Sequence, residues 1–377
     1  MGTDSVIYIR TDGNSKIATG HLVRCLCIAQ ALESLGKSAC FLVSDEDSFS
    51  LLKDLSASVF SGYTFSFDVK ILKTACYDNM ELELEELAVL LTSADPTLTT
   101  QDTSQTANSA FLKPIFFVDS YFVTEDYFSS LNKFAKVAYM DDLRAFDYKV
   151  DLLVNYDVIP PAREQEYHLS YTNAGISLLG AEYTPLRKQF QNQEVSLHNQ
   201  IKKILITTGG SDPYDFTFTL SKYLLSLELA LELHVVVGSL FKNTDSLEEL
   251  TKQYPSLHLH YNVGDMASLM KQCDYAVSAA GTTLYELCAL GIPAVSISMA
   301  DNQIPMSKTF AEVDAVPYVG DIRVQKYEDM DFILHQISNH LISLCEDSSK
   351  AHLQHNKMRR LIDGNGAIKI AEELCKL

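Results

Sequence analysis

His21 closes a small, uncharged run and opens an apolar-periodic one, in IATGHLVRC at 17–25. Thr19 carries the hydroxyl that an N-cap residue uses, which puts His21 in the first helical turn. Unpaired N–H groups there disfavour an imidazolium, so the ring is expected to be neutral near pH 7 and able to take a proton from water. The plainer alternative is a histidine that only satisfies neighbouring backbone groups. Asp12, at the end of the first apolar run, can orient His21, bind a ligand's hydroxyls or cap its own loop. Asp119 in VDSY and the pair Asp141–Asp142 in YMDD also follow apolar runs. Two carboxylates can act together or take a metal, but a metal needs more converging ligands than these stretches offer, so loop bracing is the simpler role.

A second group of candidates lies in the C-terminal half. TTGGSDP at 207–213 places two adjacent glycines after an apolar run, which lets backbone approach a ligand closely or simply makes a tight turn. In SAAGTTLYELCALGIP at 278–293, Gly281 opens a turn and Thr282 or Thr283 can cap a helix whose first N–H groups would face a diphosphate. Glu286, a turn further on, can accept hydrogen bonds from vicinal ribose hydroxyls or close a capping box with Thr283. Asn302 in MADNQ can hold a hydroxyl or a leaving phosphate, or form an Asx turn. None of these loops is the dinucleotide fingerprint GxGxxG or the Walker loop, so nicotinamide hydride transfer and Mg–ATP chemistry lose their best support.

The elements that must position these residues follow from hydropathy. VIYIR at 6–10 reads as a strand, HLVRCLCIAQALESLG as a helix stopped at Gly36, and SACFLVS as a second strand, which makes a βαβ unit. MELELEELAVLL at 80–91 reads as a helix, and 114–120 and 136–142 as strands. A second series starts near residue 201, with IKKILITT, LELHVVVG, LHLHYNV, DYAVSA and AVSIS as strands and the segments after TTGG and at 282–291 as helices. From about 331 the chain reads as two helices joined near DGNG at 363–366. The expected fold is α/β with two doubly wound halves, 1–186 and 201–377, around a polar linker at 187–200. The Thr, Ser and Gln-rich stretch at 92–110 buries too little to fix itself and is expected to be a flexible insertion. Every candidate loop then falls at the carboxyl end of a strand, where open parallel sheets bind ligands.

Composition narrows the function. A chain of 377 residues exceeds one hydrophobic core, and 47% apolar with 21% charged residues is ordinary for a folded globular protein. A net charge of -19 argues against nucleic acid and anionic membrane surfaces as partners, while leaving room for a small anion held by backbone N–H groups. The eight cysteines are scattered without a CxxC pair, so buried, reduced thiols are expected rather than zinc. No run approaches the ~18 apolar residues of a membrane span, and no basic leader with an apolar stretch is visible. A cytoplasmic chain without stable membrane insertion is the expectation; the oligomeric state is not legible.

The order RTDGNSKIATGHLVRCLCIAQAL, FVDSY, MDD, LLGAEYTPLRKQF, TTGGSDP, SAAGTTLYELCALGIP, ADNQ resembles a known family. It is that of the UDP-2,4-diacetamido-2,4,6-trideoxy-β-L-altropyranose hydrolases of pseudaminic acid biosynthesis, with the related spore coat polysaccharide biosynthesis proteins. The resemblance runs from about residue 6 to RRLIDGNGA near the C-terminus. It implies a MurG-like GT-B fold, two Rossmann-like doubly wound domains facing across a cleft. The implied reaction is hydrolysis of a UDP-sugar to UDP and free sugar with inversion at C1. His21 matches the family's general base, and Asn302 joins it in the catalytic set. Substrate would be met by Asp12, Gly20, Arg24, Asp119 and Tyr121 on the N-terminal side. On the C-terminal side Gly281 and Thr282 would face the diphosphate and Glu286 the uridine ribose, with Gly210, Ser211, Thr283, Asp301 and Gln303 also meeting substrate. No cofactor and no metal are implied. Ala18 stands where the family has glycine, and the 92–110 insertion has no counterpart. Two other readings remain open, a glycosyltransferase with a separate acceptor and a non-catalytic sugar-nucleotide-binding protein.

Overall fold

Runs such as VIYIRT and IFFVD are apolar on both faces, as strands covered by helices on both sides must be, and they form all-parallel sheets. The computed structural model describes residues 6–14, 17, 19–58, 60, 66–93, 113–198, 200–227, 229–323 and 327–377. Ala18 and 94–110 of the Thr/Ser-rich stretch lie outside the described residues.

The first sheet holds β1 (Val6–Thr11), β2 (Ser38–Val43), β3 (Asp68–Ile71), β4 (Ile115–Asp119), β5 (Lys136–Met140), β6 (Leu152–Asn155) and β7 (Ile176–Leu179). Its order is β3-β2-β1-β4-β5-β6-β7. The second holds β8 (Lys203–Thr207), β9 (Glu232–Val237), β10 (Leu257–Tyr261), β11 (Tyr275–Ala279), β12 (Ala294–Ser298) and β13 (Tyr318–Asp321), in the order β10-β9-β8-β11-β12-β13. Each order reverses direction once, between β1 and β4 and between β8 and β11. Those switch points open a crevice at the strands' carboxyl ends. The strands expected from periodicity all form. β3, β6, β7 and β13 were not legible, being four-residue strands too short to show a period.

Two compact units result. One comprises Met1–Asp157, Ala162–Lys188 and Gly366–Leu377, the other Val158–Pro161 and Gln189–Asn365. The chain therefore returns to the first unit at its end, unlike a division that keeps 201–377 together. The helix Gly20–Ser34 is apolar nearly all round because β1 and its neighbours cover one side and the helix Gly366–Leu374 covers another. Leu22, Leu26 and Ile28 share one core with Ile9, Phe117, Ile370 and Leu374. Gly366 makes this return possible, since a Cβ there would lie 2.2 Å from the Thr184 carbonyl oxygen. The end of the chain is three helices rather than two, Tyr327–Glu346, Ser348–Leu361 and Gly366–Leu374. Asp347 makes the additional break, its carboxylate accepting from Ser349 N at 3.0 Å.

Six cysteines, 25, 27, 40, 76, 273 and 288, are buried thiols, whereas Cys345 is exposed and Cys375 half-buried. Among the described residues no helix is long and apolar enough to cross a membrane.

Candidate active site

The first unit gathers its chemistry at the β1/β4 switch point. Asp119 ends β4 and is 1% exposed. His21, second residue of its helix, and Arg24, one turn on, share the helix face that meets this carboxylate. His21 Nδ1 lies 2.6 Å from Asp119 Oδ1. Arg24 forks onto the same carboxylate, Nε donating to Oδ2 at 2.6 Å and Nη2 to Oδ1. Burial alone would raise the Asp119 pKa, but the charge and hydrogen bonds of Arg24, followed by those of His21, hold it well below the usual carboxylate range.

An ionised carboxylate has no proton to share, so the proton of the 2.6 Å contact sits on Nδ1. That tautomer leaves Nε2 as an acceptor, and it has no protein partner among the described residues. Arg24 Nη2 is also 3.0 Å from Nδ1; with the proton on Nδ1 this is a close approach and not a hydrogen bond, since an arginine nitrogen cannot accept. Nη1 of the same guanidinium donates to Asp142 Oδ2 at 3.1 Å and Tyr156 OH at 2.8 Å. Tyr121 stands edge-on to the imidazole, centroids 4.5 Å apart at 77°, and its hydroxyl donates to Asp142 Oδ2 at 2.9 Å. A proton-accepting nitrogen is thus fixed in direction by a buried ion pair.

Several expected placements differ. Thr19 has helical backbone angles, φ -70 and ψ -11, and makes no side-chain cap, so the first-turn N–H groups keep no hydroxyl partner from it. Asp12 does not orient His21. Its oxygens accept from Arg10 Nη1 at 2.7 Å, Ser44 N at 2.6 Å and Ser44 Oγ at 2.7 Å, while Arg10 also clasps Glu83 at 3.0 and 2.9 Å. This buried cluster joins the ends of β1 and β2. The orienting role considered for Asp12 falls to Asp119, and the hydrogen-bonding groups of Arg24 are engaged inside the protein. Gly20 is exposed beside His21. Asp141 braces its loop, accepting from Leu143 N, Arg144 N, Tyr148 OH and Tyr171 OH. Among the described residues no three His, Cys, Asp or Glu side chains converge as a metal site.

The second unit presents loops at its own switch point. After β8, Asp212 is buried and accepts from Phe216 N at 3.1 Å and Thr217 N at 2.7 Å, fixing the next helix while Gly210 and Ser211 stay exposed. The glycine loop is held from behind, where Leu240 N donates to Gly210 O at 2.9 Å. Gly238 permits that approach; a Cβ there would sit 2.4 Å from Gly209 O. After β11, Gly281 is the N-cap of the helix Thr282–Leu290, in extended backbone and with no side-chain cap. The capping box of Thr283 with Glu286 therefore does not form, because glycine occupies the cap and Thr283 is already the second helical residue. Thr282 is exposed, Thr283 half-buried, and Glu286 buried a turn inside.

After β12, Gln303 Oε1 accepts from Met299 N at 2.7 Å and Asp301 Oδ1 from Arg323 Nη2 at 2.7 Å. Asn302 is exposed, forms no Asx turn or cap, and has no protein partner among the described residues. Strand order brings Gly210–Ser211 and Gly281–Glu286 onto neighbouring strands, with Asn302 on the next. Sequence reasoning missed Tyr156 and Arg323, which follow β6 and β13, two of the strands too short to read. It also missed the Asp142 link to Arg24, for which only the position of MDD after a strand was a signal.

No protein-family model matches the chain. It is 26% identical over 310 residues to an uncharacterized protein of Methanocaldococcus jannaschii, covering 79% of this chain and 56% of that one. With the spore coat polysaccharide biosynthesis protein SpsG of Bacillus subtilis it shares 28% over 198 residues, 51% of this chain and 56% of SpsG. It is 30% identical over 182 residues to the pseudaminic acid cytidylyltransferase and UDP-2,4-diacetamido-2,4,6-trideoxy-beta-L-altropyranose hydrolase of Helicobacter pylori, 47% of this chain and 30% of that protein. The chain thus spans about half or less of the length of these curated relatives. Among solved structures, MurG of Acinetobacter baumannii matches at TM-score 0.62 and 14% identity over all of both chains. UDP-GlcNAc 2-epimerase from Neisseria meningitidis, bound to UDP-GlcNAc, matches at 0.56 and 13% over 99% of each. The fold is the glycosyltransferase-like GT-B type, built of two Rossmann-like domains, and the chain's relatives include sugar-nucleotide enzymes. The family resemblance carried by the order of the motifs is borne out.

Proposed function

We propose that this protein hydrolyses a UDP-linked amino-deoxy sugar, of the UDP-2,4-diacetamido-2,4,6-trideoxyhexose type, to free sugar and UDP with inversion at C1. The observation that carries the reading is the His21–Asp119 contact at 2.6 Å, which holds the proton on Nδ1 and leaves Nε2 as a directed base. The name of the Helicobacter pylori relative supports the substrate class. In this reaction a water oxygen bonds to C1 as its proton passes to His21 Nε2. The bond from C1 to the β-phosphate oxygen breaks, and its electron pair leaves on UDP. N–H groups at the start of the helix Thr282–Leu290, uncapped by any side chain, favour the departing diphosphate. Gly210 and Ser211 let backbone approach the nucleotide, Glu286 accepts from ribose hydroxyls, and Asn302 offers a neutral donor. Tyr121 gives the imidazole an aromatic flank.

The likeness to MurG favours a second reading, in which the same base takes a proton from an acceptor hydroxyl and the sugar is transferred. A coupled assay for UDP release, with the free sugar followed by NMR, separates the two. Hydrolysis expects acceptor-independent release that His21→Ala lowers by about 10² to 10⁴. Undiminished turnover in that variant refutes the base, and strict dependence on an added acceptor refutes hydrolysis.

A further inference from the structure

Beside the base, the first unit shows an aromatic surface that proton transfer at His21 does not use. Tyr121 and Phe122 come just after the end of β4, where open parallel sheets bind ligands, and they are 47% and 42% exposed. Adjoining aromatic rings left to water mark a surface that something apolar covers. Tyr121 packs on the imidazole, whereas Phe122 packs on Tyr77, ring centroids 4.9 Å apart at 55°. Tyr77 belongs to the turn after β3, so the pair bridges the carboxyl ends of β1 and β2, which lie between β3 and β4 in the sheet.

Hydrogen bonds fix both turns. Asp78 N and Asn79 N donate to Ala75 O at 3.0 and 2.9 Å. Phe122 N donates to Ser120 Oγ at 3.3 Å, and Thr124 Oγ1 caps the next helix by accepting from Tyr127 N at 3.2 Å. The Tyr77 hydroxyl is engaged inward, bonded to Ser44 beside Asp12; burial and then the Asp12 charge push its pKa up. What the pair offers a ligand is therefore ring carbon. A sugar hydroxyl set against it would lose water without gaining a partner, whereas a methyl group gains by leaving water.

We propose that Phe122 and Tyr77 form an apolar wall that receives a methyl group of the sugar, on C6 of a deoxy sugar or on an acetamido group, and so select methyl-bearing over fully hydroxylated hexoses. This rests on the reading of the site as one for a UDP-linked sugar. Phe122 is joined directly to the residue that packs on the base, which places the wall next to His21. Its role is specificity, and the proton transfer stays with the imidazole.

The chain has no tryptophan, so Phe122→Trp carries a single indole at this position. Emission of the full-length variant is followed as UDP-2,4-diacetamido-2,4,6-trideoxyhexose, UDP-glucose or UDP is added. The expected result is a saturable blue shift with the methyl-bearing donor and none with UDP-glucose or UDP. Phe122→Ala, on an exposed side chain, lowers kcat/KM for UDP release from the same donor by about tenfold, through KM more than kcat, and Phe122→Leu loses less. Emission that the methyl-bearing donor leaves unchanged, or shifts no more than UDP-glucose does, overturns the inference. So does a kcat/KM in Phe122→Ala equal to the parent's. A parent that releases no UDP from this donor refutes the proposed hydrolysis instead, and the emission of Phe122→Trp then decides the assignment of the wall on its own.

Discussion

Asp119→Asn tests the arrangement on which the proposed chemistry rests. The substitution keeps shape and burial but replaces a charge-only acceptor by an amide with one acceptor and one donor end. Arg24 Nε and Nη2 each require an acceptor there, and both contact the oxygens that now include an NH₂ group. If the amide oxygen serves Arg24 Nε, its NH₂ faces His21 Nδ1 and drives the ring into the tautomer with the proton on Nε2, which cannot accept. The turnover number falls by about 10⁴, the loss that follows when a base histidine is held in the wrong tautomer. Stability falls too. Removing one partner of a buried ion pair costs about 3–5 kcal/mol, and the low end applies because Arg24 keeps Asp142 and Tyr156. UDP release measured well below the variant's own melting temperature separates the two effects. Turnover within about tenfold of the parent, in a folded variant, refutes the assignment of Asp119 as the group that fixes the base. The same carboxylate has a pH signature. Its folded pKa lies below that of an unfolded aspartate, about 3.9, so the stability it contributes is complete above that value and is lost as pH falls below it. Acid unfolding of Asp119→Asn is correspondingly less steep below about pH 4.

Gly238→Ala drives a methyl into Gly209 O and the glycine loop must move; UDP affinity is expected to fall about tenfold or more, and unchanged affinity by calorimetry would show the loop takes no part. His340 has a folded pKa near 4, below that of an unfolded histidine at about 6.5, so the unfolded chain binds its proton first. The folded state is stabilised above about pH 6.5 and loses that contribution on descent toward pH 4; denaturation of His340→Phe at both ends of the window should show a smaller difference than the parent.

Much of the architecture is local and was legible. VIYIRT, IFFVD and AVSIS are short, continuously apolar runs bounded by polar loops, which only a strand covered on both faces explains. The helix Gly20–Ser34 was legible from its apolar period and its stop at Gly36, and the clustering of candidate residues followed from their places just past strand ends. DVKI, LLVN, ISLL and YVGD were not, since four residues show no period, and with them went Tyr156 and Arg323. Capping was misread at Thr19 and Thr283 because a hydroxyl near a helix start signals a cap only if the backbone turns at that residue. In the second case it turns at Gly281.

By itself the sequence determined where strands, helices and glycine loops occur, and that His21, Gly281, Glu286 and Asn302 lie on the loops that such sheets use. Only the tertiary structure decided which carboxylate faces His21, since Asp119 is 98 residues away and reaches it through the pairing of β1 with β4. It also decided that Arg24 ties that carboxylate to Asp142, and that the last helix covers the first unit. Hydropathy along a chain reports which faces seek burial. Partners in parallel pairing and in buried ion pairs are chosen by where those faces meet, which no local pattern records.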